Sequence, residues 1–176
     1  MTTRRDAVPT HVESPLPAVF DQSSRVLLLG SMPSPKSREN GFHYGNPQNR
    51  FWRVIASLWG EDVPQTMGQR RSLLARRHIA LHDVLASCDI VGASDASIEN
   101  PVPNDLGPIL RVAPIRGIFC TGSASARLYH RYIEPDLGIP CTRLPSTSPA
   151  NASWTLERLV EAYQVVRQVA DGTDEG

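Results

Sequence analysis

Four short apolar segments, each followed by a loop and a helical pattern, constrain the fold of this chain most strongly. The first is RVLLL at residues 25–29, a continuous apolar run typical of a strand buried on both faces. The others are 79–85 (IALHDVL), 115–121 (IRGIFCT) and 141–145 (CTRLP). Strands that alternate with helices at this spacing run parallel and are joined by crossovers. The pattern predicts an α/β fold: a single three-layer α/β/α domain with a central, mainly parallel four-stranded sheet.

One helix has clear signals at both ends. In PQNRFWRVIASLWG (47–60), apolar side chains recur at helical spacing from Phe51 to Leu58, and Pro47 suits the first helical position. Gly60 suits the C-terminal cap. Further helices are expected at about residues 66–77, 105–113, 123–133 and 154–169.

The remaining segments complete a one-domain organisation. A chain of 176 residues is long enough for one compact domain with a sizeable core. Residues 1–22 lack periodicity, so we assign them to a loosely ordered N-terminal arm. The domain covers 23–170, and 171–176 form a C-terminal tail. Residues 86–104 contain proline and glycine without a clear period, which indicates a long loop.

The composition excludes several classes of protein. No apolar run approaches the ~18 residues of a membrane span, and the N-terminus lacks the apolar core of a secretion signal, so we expect a soluble, cytoplasmic protein. Cys88, Cys120 and Cys141 are widely separated, which favours free thiols over disulfides or a metal site. With 18 basic and 18 acidic residues the net charge is zero, so any contact with DNA must be local.

The loop GSMPSPKS (30–37) after the first strand argues against a bound nucleotide cofactor. It has neither the spacing of a P-loop nor that of a dinucleotide-binding fingerprint. The chain also lacks the G-x-S-x-G sequence of a hydrolase nucleophile. We therefore expect no cofactor and no metal. A tight strand-to-loop turn is the alternative interpretation of this segment.

The following stretch, ENGFHYGNPQNRFW (39–52), carries a more unusual set of side chains. Phe42, His43 and Tyr44 lie in a loop where core packing would not require them, and their rings could stack on a flat heterocycle. Asn49 falls in the first helical turn, where its amide oxygen can hold a water. A simple capping role for Asn49 is the alternative.

A second loop, LPSTSPAN (144–151), lies at the same predicted edge of the sheet. Ligands bind beyond the carboxyl ends of the strands in such folds. Its small hydroxyl groups and prolines suit a rigid loop that donates hydrogen bonds to a phosphate, although ordinary turns have similar composition.

Together these segments carry a family resemblance. GSMPS…GFHYGNPQNRFW and LPSTSPAN resemble the two signature segments of the uracil-DNA glycosylase superfamily, most closely its hypoxanthine-DNA (deoxyinosine) glycosylase family, often called family 6. The segment GIFCTGSASARLYHRY between them is also similar, so the resemblance covers about residues 24–165. It implies a base-excision enzyme that acts on DNA containing deaminated bases, as a monomer.

Two departures from the superfamily pattern are informative. Several members carry an acidic or amide residue in the first motif that activates water, whereas this chain has Met32. The second motif begins with Leu144 where classical uracil enzymes have histidine, which argues against efficient uracil removal. In the hypoxanthine family the asparagine of the P-x-N-R-F-W stretch is implicated in catalysis, and this implies the same role for Asn49.

The resemblance and the residues together give the expected site. Catalysis falls to Asn49, which would position the attacking water. Substrate binding is expected from Gly30, Ser31, Met32, Pro33, Phe42, His43, Tyr44 and Asp83, and DNA binding from Ser34, Lys36, Ser123, Ser146, Thr147 and Ser148.

The expected reaction is hydrolysis of the N-glycosidic bond of an everted deoxyinosine. Lys36 is the only lysine of the chain, and a phosphate contact suits it better than a Schiff base, so we expect a monofunctional enzyme that leaves an abasic site. A uracil-directed glycosylase of the same fold is one alternative. A non-catalytic module that binds damaged DNA or a nucleotide is the other.

Overall fold

The computed structural model describes residues 8–172, which form seven strands and eight α-helices within that range. The strands are β1 (Thr10–Glu13), β2 (Val26–Gly30), β3 (Ile79–Asp83), β4 (Leu85–Ile90), β5 (Glu99–Pro103), β6 (Gly117–Thr121) and β7 (Thr142–Leu144). The helices are α1 (Pro35–Asn40), α2 (Phe51–Leu58), α3 (Met67–Arg76), α4 (Gly107–Val112), α5 (Ser123–Tyr132), α6 (Glu134–Leu137), α7 (Leu156–Ala162) and α8 (Gln164–Asp171).

The central sheet has four strands in the order β3-β2-β6-β7, and all three neighbouring pairs are parallel. Strand β2 lies inside this sheet and is buried along its whole length, as its continuous apolar sequence predicts. The predicted fold class is confirmed. Because the strands are parallel, the carboxyl ends of β2, β3, β6 and β7 meet at one edge.

The side chains of β2 alternate between two apolar layers, one on each face of the sheet. Val26 and Leu28 pack with helices α2, α3, α7 and α8 on one face. Leu27 and Leu29 pack with α4, α5 and the strand β4 on the other. These two layers, with the sheet between them, give the three-layer architecture.

A second sheet occupies the region that the sequence indicates as a loop. It has the order β1-β4-β5, and both of its strand pairs are antiparallel. Pro101 and Pro103 lie within β5, which tolerates them because it is an edge strand. The expected long loop over residues 86–104 therefore contains two strands and a short 3-10 helix, Asp95–Ser97.

The N-terminal segment is packed against the domain over its described part. Residues 1–7 of the expected arm lie outside the described residues. Val12 in β1 is almost fully buried, and Val19 forms an antiparallel bridge with Leu81 of β3. The loose arm expected from the sequence therefore does not extend over residues 10–19. Only one inward side chain comes from β1, too few to produce a readable hydrophobic period.

The C-terminal helical segment consists of two helices instead of one. Tyr163 separates α7 from α8, and its hydroxyl donates to the backbone oxygen of Pro145 at 2.6 Å. Of the expected tail, 173–176 lie outside the described residues. Cys88, Cys120 and Cys141 are free thiols, as expected. Among residues 8–172, no helix has the length and apolar character needed to cross a membrane.

Candidate active site

The carboxyl edge of the central sheet brings the ends of β2 and β3 into close contact. Gly30 and Asp83 are partners in the β2–β3 register. A Cβ atom on residue 30 would lie 2.7 Å from Oδ1 of Asp83, so only glycine fits without displacing this carboxylate. Asp83 is 5% exposed. A buried carboxylate at the end of a strand is an unusual feature, and it places a charge under the edge where ligands bind in this fold class.

His43 is the partner of this carboxylate. Its Nδ1 lies 3.3 Å from Oδ2 of Asp83, an ion-pair distance without hydrogen-bond alignment, and its Nε2 donates to the backbone oxygen of Pro17 at 2.9 Å. Burial opposes protonation of the ring, but the Asp83 carboxylate outweighs it, and the pKa of His43 is raised above its ordinary value. The imidazole thus connects the N-terminal segment to Asp83.

Phe42 belongs to the core. It is 2% exposed, packs against Trp52 with ring centroids 5.9 Å apart, and carries the guanidinium of Arg71 over its ring at 5.1 Å. The expectation that core packing does not require this side chain is wrong, because glycines on both sides hid a core position inside a loop. His43 is 3% exposed, so neither of these two rings presents a face to solvent.

Tyr44 is the partly exposed member of the three aromatic residues at 42–44. Its ring stacks on Phe51 with centroids 3.8 Å apart and planes 8° apart. Its hydroxyl bonds Oγ1 of Thr121 at 2.8 Å, and since Thr121 donates to the backbone oxygen of Leu29, the phenol is the donor. Burial raises the pKa of Tyr44 well above its ordinary value, which keeps the phenol neutral.

Asn49 lies between the two signature segments. Its Oδ1 accepts hydrogen bonds from the backbone N–H of Phe51 at 2.9 Å and from the hydroxyl of Thr147 at 2.8 Å. Helix α2 begins at Phe51 and not at Pro47, so Asn49 precedes the helix instead of lying in its first turn, and the first bond satisfies the N–H of the first helical residue. Thr147 comes from the second signature loop, which connects this loop directly to Asn49. The amide oxygen, expected to hold a water, is occupied by two protein donors.

Arg50, which is not among the residues expected from the sequence, connects the same two segments more extensively. Its guanidinium donates to the backbone oxygens of Ser148 at 3.2 Å, Asn151 at 3.0 Å and Trp154. Its backbone N–H donates to the backbone oxygen of Thr147 at 3.1 Å. The sequence NRFW does not indicate this role, because an arginine at the start of a helix usually points to solvent. In the folded protein it fixes the shape of the second signature loop.

A groove of about 690 Å³ lies beside that loop at the carboxyl edge. It brings together three of the predicted DNA-binding serines: Ser123, Ser146 and Ser148. The exposed side chain of Arg143 also lines it. Gly122 has a φ of 105°, a conformation that residues with a side chain rarely adopt, and so it permits the turn from β6 into α5 beside this loop.

The remaining predicted residues lie along the first signature loop. The Ser31 hydroxyl donates to Oδ1 of Asp95 at 2.9 Å, Ser34 caps α1, and Lys36 is exposed. Asp95 lines the groove, and burial raises the pKa of its carboxyl group. Asp95 is not among the residues expected from the sequence, because an aspartate in GASDAS is an ordinary turn residue.

The other large cleft, of about 720 Å³, is separate from these residues. It lies between Gly60 and α3, and no predicted site residue lines it. Among residues 8–172, no three or more His, Cys, Asp or Glu side chains come close enough to hold a metal ion. The candidate site is therefore the carboxyl edge of the central sheet.

Comparison with known proteins shows which family this chain belongs to. The family model "Uracil DNA glycosylase superfamily" matches residues 17–167, most of the chain. The chain belongs to this superfamily. Two curated relatives are similar to it: a "Hypoxanthine DNA glycosylase" of Methanosarcina acetivorans, 32% identical over 153 residues (86% of this chain and 96% of the relative), and one of Methanosarcina barkeri, 34% identical over 137 residues (77% and 85%).

A solved structure agrees with this assignment. The solution NMR structure of a Methanosarcina acetivorans protein, assigned by name to the uracil DNA glycosylases, superposes with a TM-score of 0.75 at 30% identity. The match covers 88% of this chain and 96% of that protein. The relationship therefore extends over the whole domain and is not confined to the two signature segments.

The two departures from the superfamily motifs have clear structural positions. Met32 packs partly buried against the apolar layer that includes β4 and α5, and Leu144 is 3% exposed. Neither side chain can donate a hydrogen bond. Polar groups at the carboxyl edge of this superfamily member come instead from Asn49, Asp83 and Tyr44.

Proposed function

We propose that the protein is a DNA glycosylase that removes hypoxanthine from deoxyinosine and leaves an abasic site. The observation that carries this proposal is the junction of the two signature segments at Asn49, whose amide is held by Thr147 of the second loop at 2.8 Å. Two relatives that align over most of the chain are named hypoxanthine DNA glycosylases, which supports the choice of base.

DNA binds across the groove beside the second signature loop. Serine hydroxyls and the N–H groups at the start of α5 contact phosphates there, and Arg143 adds a positive charge. Lys36, exposed on α1, contacts a phosphate farther along the backbone. The chain has no net charge, so these local contacts supply the attraction to DNA.

The tip of the second loop enters the duplex when the nucleotide is extruded. Pro149 and Ala150 are exposed at this tip, and Ser148 is partly exposed. Thr147 is 1% exposed and hydrogen-bonded, so it supports the loop from below and does not enter the duplex. Extrusion costs a few kcal/mol and is easiest for a mispaired base such as hypoxanthine.

The extruded base lies over the ends of β2 and β3. Backbone N–H groups of Ser31 and Met32 donate to its six-position oxygen, and Asp83 accepts from the N1–H beside it. Adenine presents the opposite donor and acceptor pattern at these two positions, so the site rejects it. Tyr44 contributes the aromatic wall, since Phe42 and His43 are buried beneath it.

Asn49 is the catalytic residue of this proposal. The glycosidic bond breaks through an oxocarbenium-like sugar, and water adds to C1′. Lys36 is the only lysine of the chain and is exposed on α1, where it contacts a phosphate, so it forms no Schiff base with the sugar. The reaction is therefore hydrolysis alone, without strand cleavage. We further propose that the enzyme works as a monomer in the cytoplasm.

Oligonucleotides that contain inosine, uracil, xanthosine or ethenoadenine test the substrate. Incubation followed by alkali converts each abasic site into a strand break. We expect breaks at inosine, with little at uracil because Leu144 offers no donor to a departing uracil. Breaks only at uracil would replace the proposal by the uracil-directed alternative. DNA binding without release of any free base would replace it by the binding-module alternative.

A further inference from the structure

We propose that Asn49 acts as a hydrogen-bond donor to the departing base, and that Thr147 is the positioning residue that fixes the amide for this task. The inference rests on the proposed function and deepens it, because it assigns a chemical role to an atom of the same site. The role differs from the water-holding one that the sequence suggests.

The amide oxygen of Asn49 has no free lone pair. An amide oxygen accepts two hydrogen bonds, and here they come from the N–H of Phe51 at 2.9 Å and the hydroxyl of Thr147 at 2.8 Å. The backbone N–H can only donate, so it also fixes which atom of the amide is oxygen. A flipped amide would direct its NH₂ group against this N–H.

The amide nitrogen of Asn49 is the group that remains for a ligand. No residue among 8–172 accepts a hydrogen bond from Nδ2, and the side chain is partly exposed. The Tyr44 phenol donates to Thr121 and is therefore engaged. Met32 and Leu144 have no donor at all. Asn49 thus keeps a side-chain N–H for the base, whereas the donors of the groove are assigned to phosphates.

A donor suits the charge that develops in this reaction. When the C1′–N9 bond breaks, its electron pair leaves with the purine, and negative charge spreads over the ring nitrogens and the six-position oxygen. A prealigned N–H stabilises this charge without giving up its proton. Water adds to C1′ and loses a proton to solvent, and the purine anion takes a proton from solvent. The products are hypoxanthine and an abasic site.

Thr147 supplies the alignment. It is 1% exposed, its hydroxyl donates to Oδ1 of Asn49, and its backbone oxygen accepts from the N–H of Arg50 at 3.1 Å. The residue lies in the loop that contacts DNA, three positions after the end of β7. The amide of Asn49 is therefore oriented by the loop that engages the duplex.

Asn49→Asp separates the donor role from a water-holding role. Aspartate has nearly the same shape and can accept both existing hydrogen bonds, and a carboxylate is favoured at the start of a helix, so the fold is retained. It lacks the donor. We measure the single-turnover rate of hypoxanthine release with enzyme in excess, for the wild type, Asn49→Asp and Asn49→Ala, with thermal unfolding as the control for folding.

The donor role predicts that both variants lose on the order of 10²- to 10³-fold in rate and agree within about tenfold. Asn49→Asp more than about tenfold faster than Asn49→Ala would overturn the inference, because an acceptor would then suffice. So would an unchanged rate in Asn49→Ala. Inhibition by free hypoxanthine adds a readout: it weakens in both variants if the amide contacts the base, and stays unchanged if it does not.

Thr147→Val and Thr147→Ser test the positioning role. Valine removes the hydroxyl and lets the amide rotate, so the single-turnover rate falls on the order of 10-fold while DNA affinity is kept. Serine restores the hydroxyl and the rate. Equal rates in the valine variant and the wild type would overturn the role of Thr147. If the wild type itself releases no hypoxanthine, the proposed function is wrong. If the wild type releases it and the variants do not differ as expected, only the roles of Asn49 and Thr147 are wrong.

Discussion

The guanidinium of Arg50 donates to the backbone oxygen of Asn151 at 3.0 Å and so joins the start of α2 to the far end of the second signature loop. The two residues are 101 positions apart in sequence. The same guanidinium also reaches Ser148 and Trp154, so one side chain replaces the regular secondary structure that the loop lacks.

Replacement of Arg50 is therefore expected to release the second loop. Arg50→Ala leaves several loop carbonyls without donors and should lower the free energy of unfolding by about 2–3 kcal/mol. Arg50→Lys keeps the charge but not the planar set of donors, so it should recover only part of this loss. Urea denaturation measures both. Arg111→Ala, at an exposed position on α4, is the control and should lower the free energy of unfolding very little. A loss as small as this in Arg50→Ala would contradict the proposal that Arg50 braces the loop.

Two substitutions of Tyr44 distinguish the contribution of its ring from that of its hydroxyl group. Tyr44→Phe keeps the ring on Phe51 and loses only the bond to Thr121, so we expect a stability loss of about 0.5–1.5 kcal/mol with glycosylase activity retained. Tyr44→Ala removes the ring and should weaken binding of the extruded base by about 1–3 kcal/mol. Single-turnover kinetics at several enzyme concentrations distinguishes binding from rate. Equal activity in both variants would exclude Tyr44 from the base pocket.

The ion pair between His43 and Asp83 predicts a pH dependence of stability. The pKa of His43 is raised in the folded protein, so its contribution is complete below the ordinary value of 6.5 and is lost as pH rises through the higher, folded pKa. The difference in free energy of unfolding between the wild type and His43→Gln should therefore be larger at pH 5.5 than at pH 8.5.

Of the other histidines, His11 does not disturb this comparison: its pKa is raised by Asp89 in the wild type and in His43→Gln alike, so its contribution cancels. The pKa of His82 is lowered by burial and also by His43, whose ring centroid lies 6.4 Å away. Both proteins are therefore compared in a His82→Gln background. A difference that is constant across this range, or larger at high pH, would show that His43 is not stabilised in its protonated form.

Arg143 is expected to contact a DNA phosphate in the groove. Arg143→Ala should weaken binding of any duplex and lower the slope of log affinity against log salt concentration by about 0.9, the value for one phosphate contact. Arg111→Ala should leave the slope unchanged. Fluorescence anisotropy with labelled duplexes at several salt concentrations gives both values, and an unaltered slope for Arg143→Ala would place the DNA elsewhere.

The sequence predicts the central sheet well because its strands carry their own signal. RVLLL is apolar along its whole length, and a strand buried on both faces needs such a sequence. The strands β1, β4 and β5 lack this signal. They form an antiparallel sheet with one exposed side, and the prolines of β5 are typical of loops as well as of edge strands.

The candidate site, like the fold, could be predicted from the sequence only in part. Family motifs locate Asn49 and the serines of the groove, because these residues stand inside recognisable segments. Contacts between distant segments are not encoded in any local pattern, so the Arg50 connections and the bond from Ser31 to Asp95 became visible only in the folded chain. Burial also reassigns residues: Phe42 and Thr147 look like loop residues in sequence and are fully enclosed in the structure.

Chromatographic detection of the free base tests the central claim most directly. Purified wild-type protein in excess is incubated with a duplex that contains one deoxyinosine, and the released material is identified by mass spectrometry. We expect one equivalent of hypoxanthine per duplex and an intact sugar–phosphate backbone, with release abolished in Asn49→Ala although that variant still binds the duplex. Absence of hypoxanthine from the wild-type reaction, or its undiminished release by Asn49→Ala, would contradict this account.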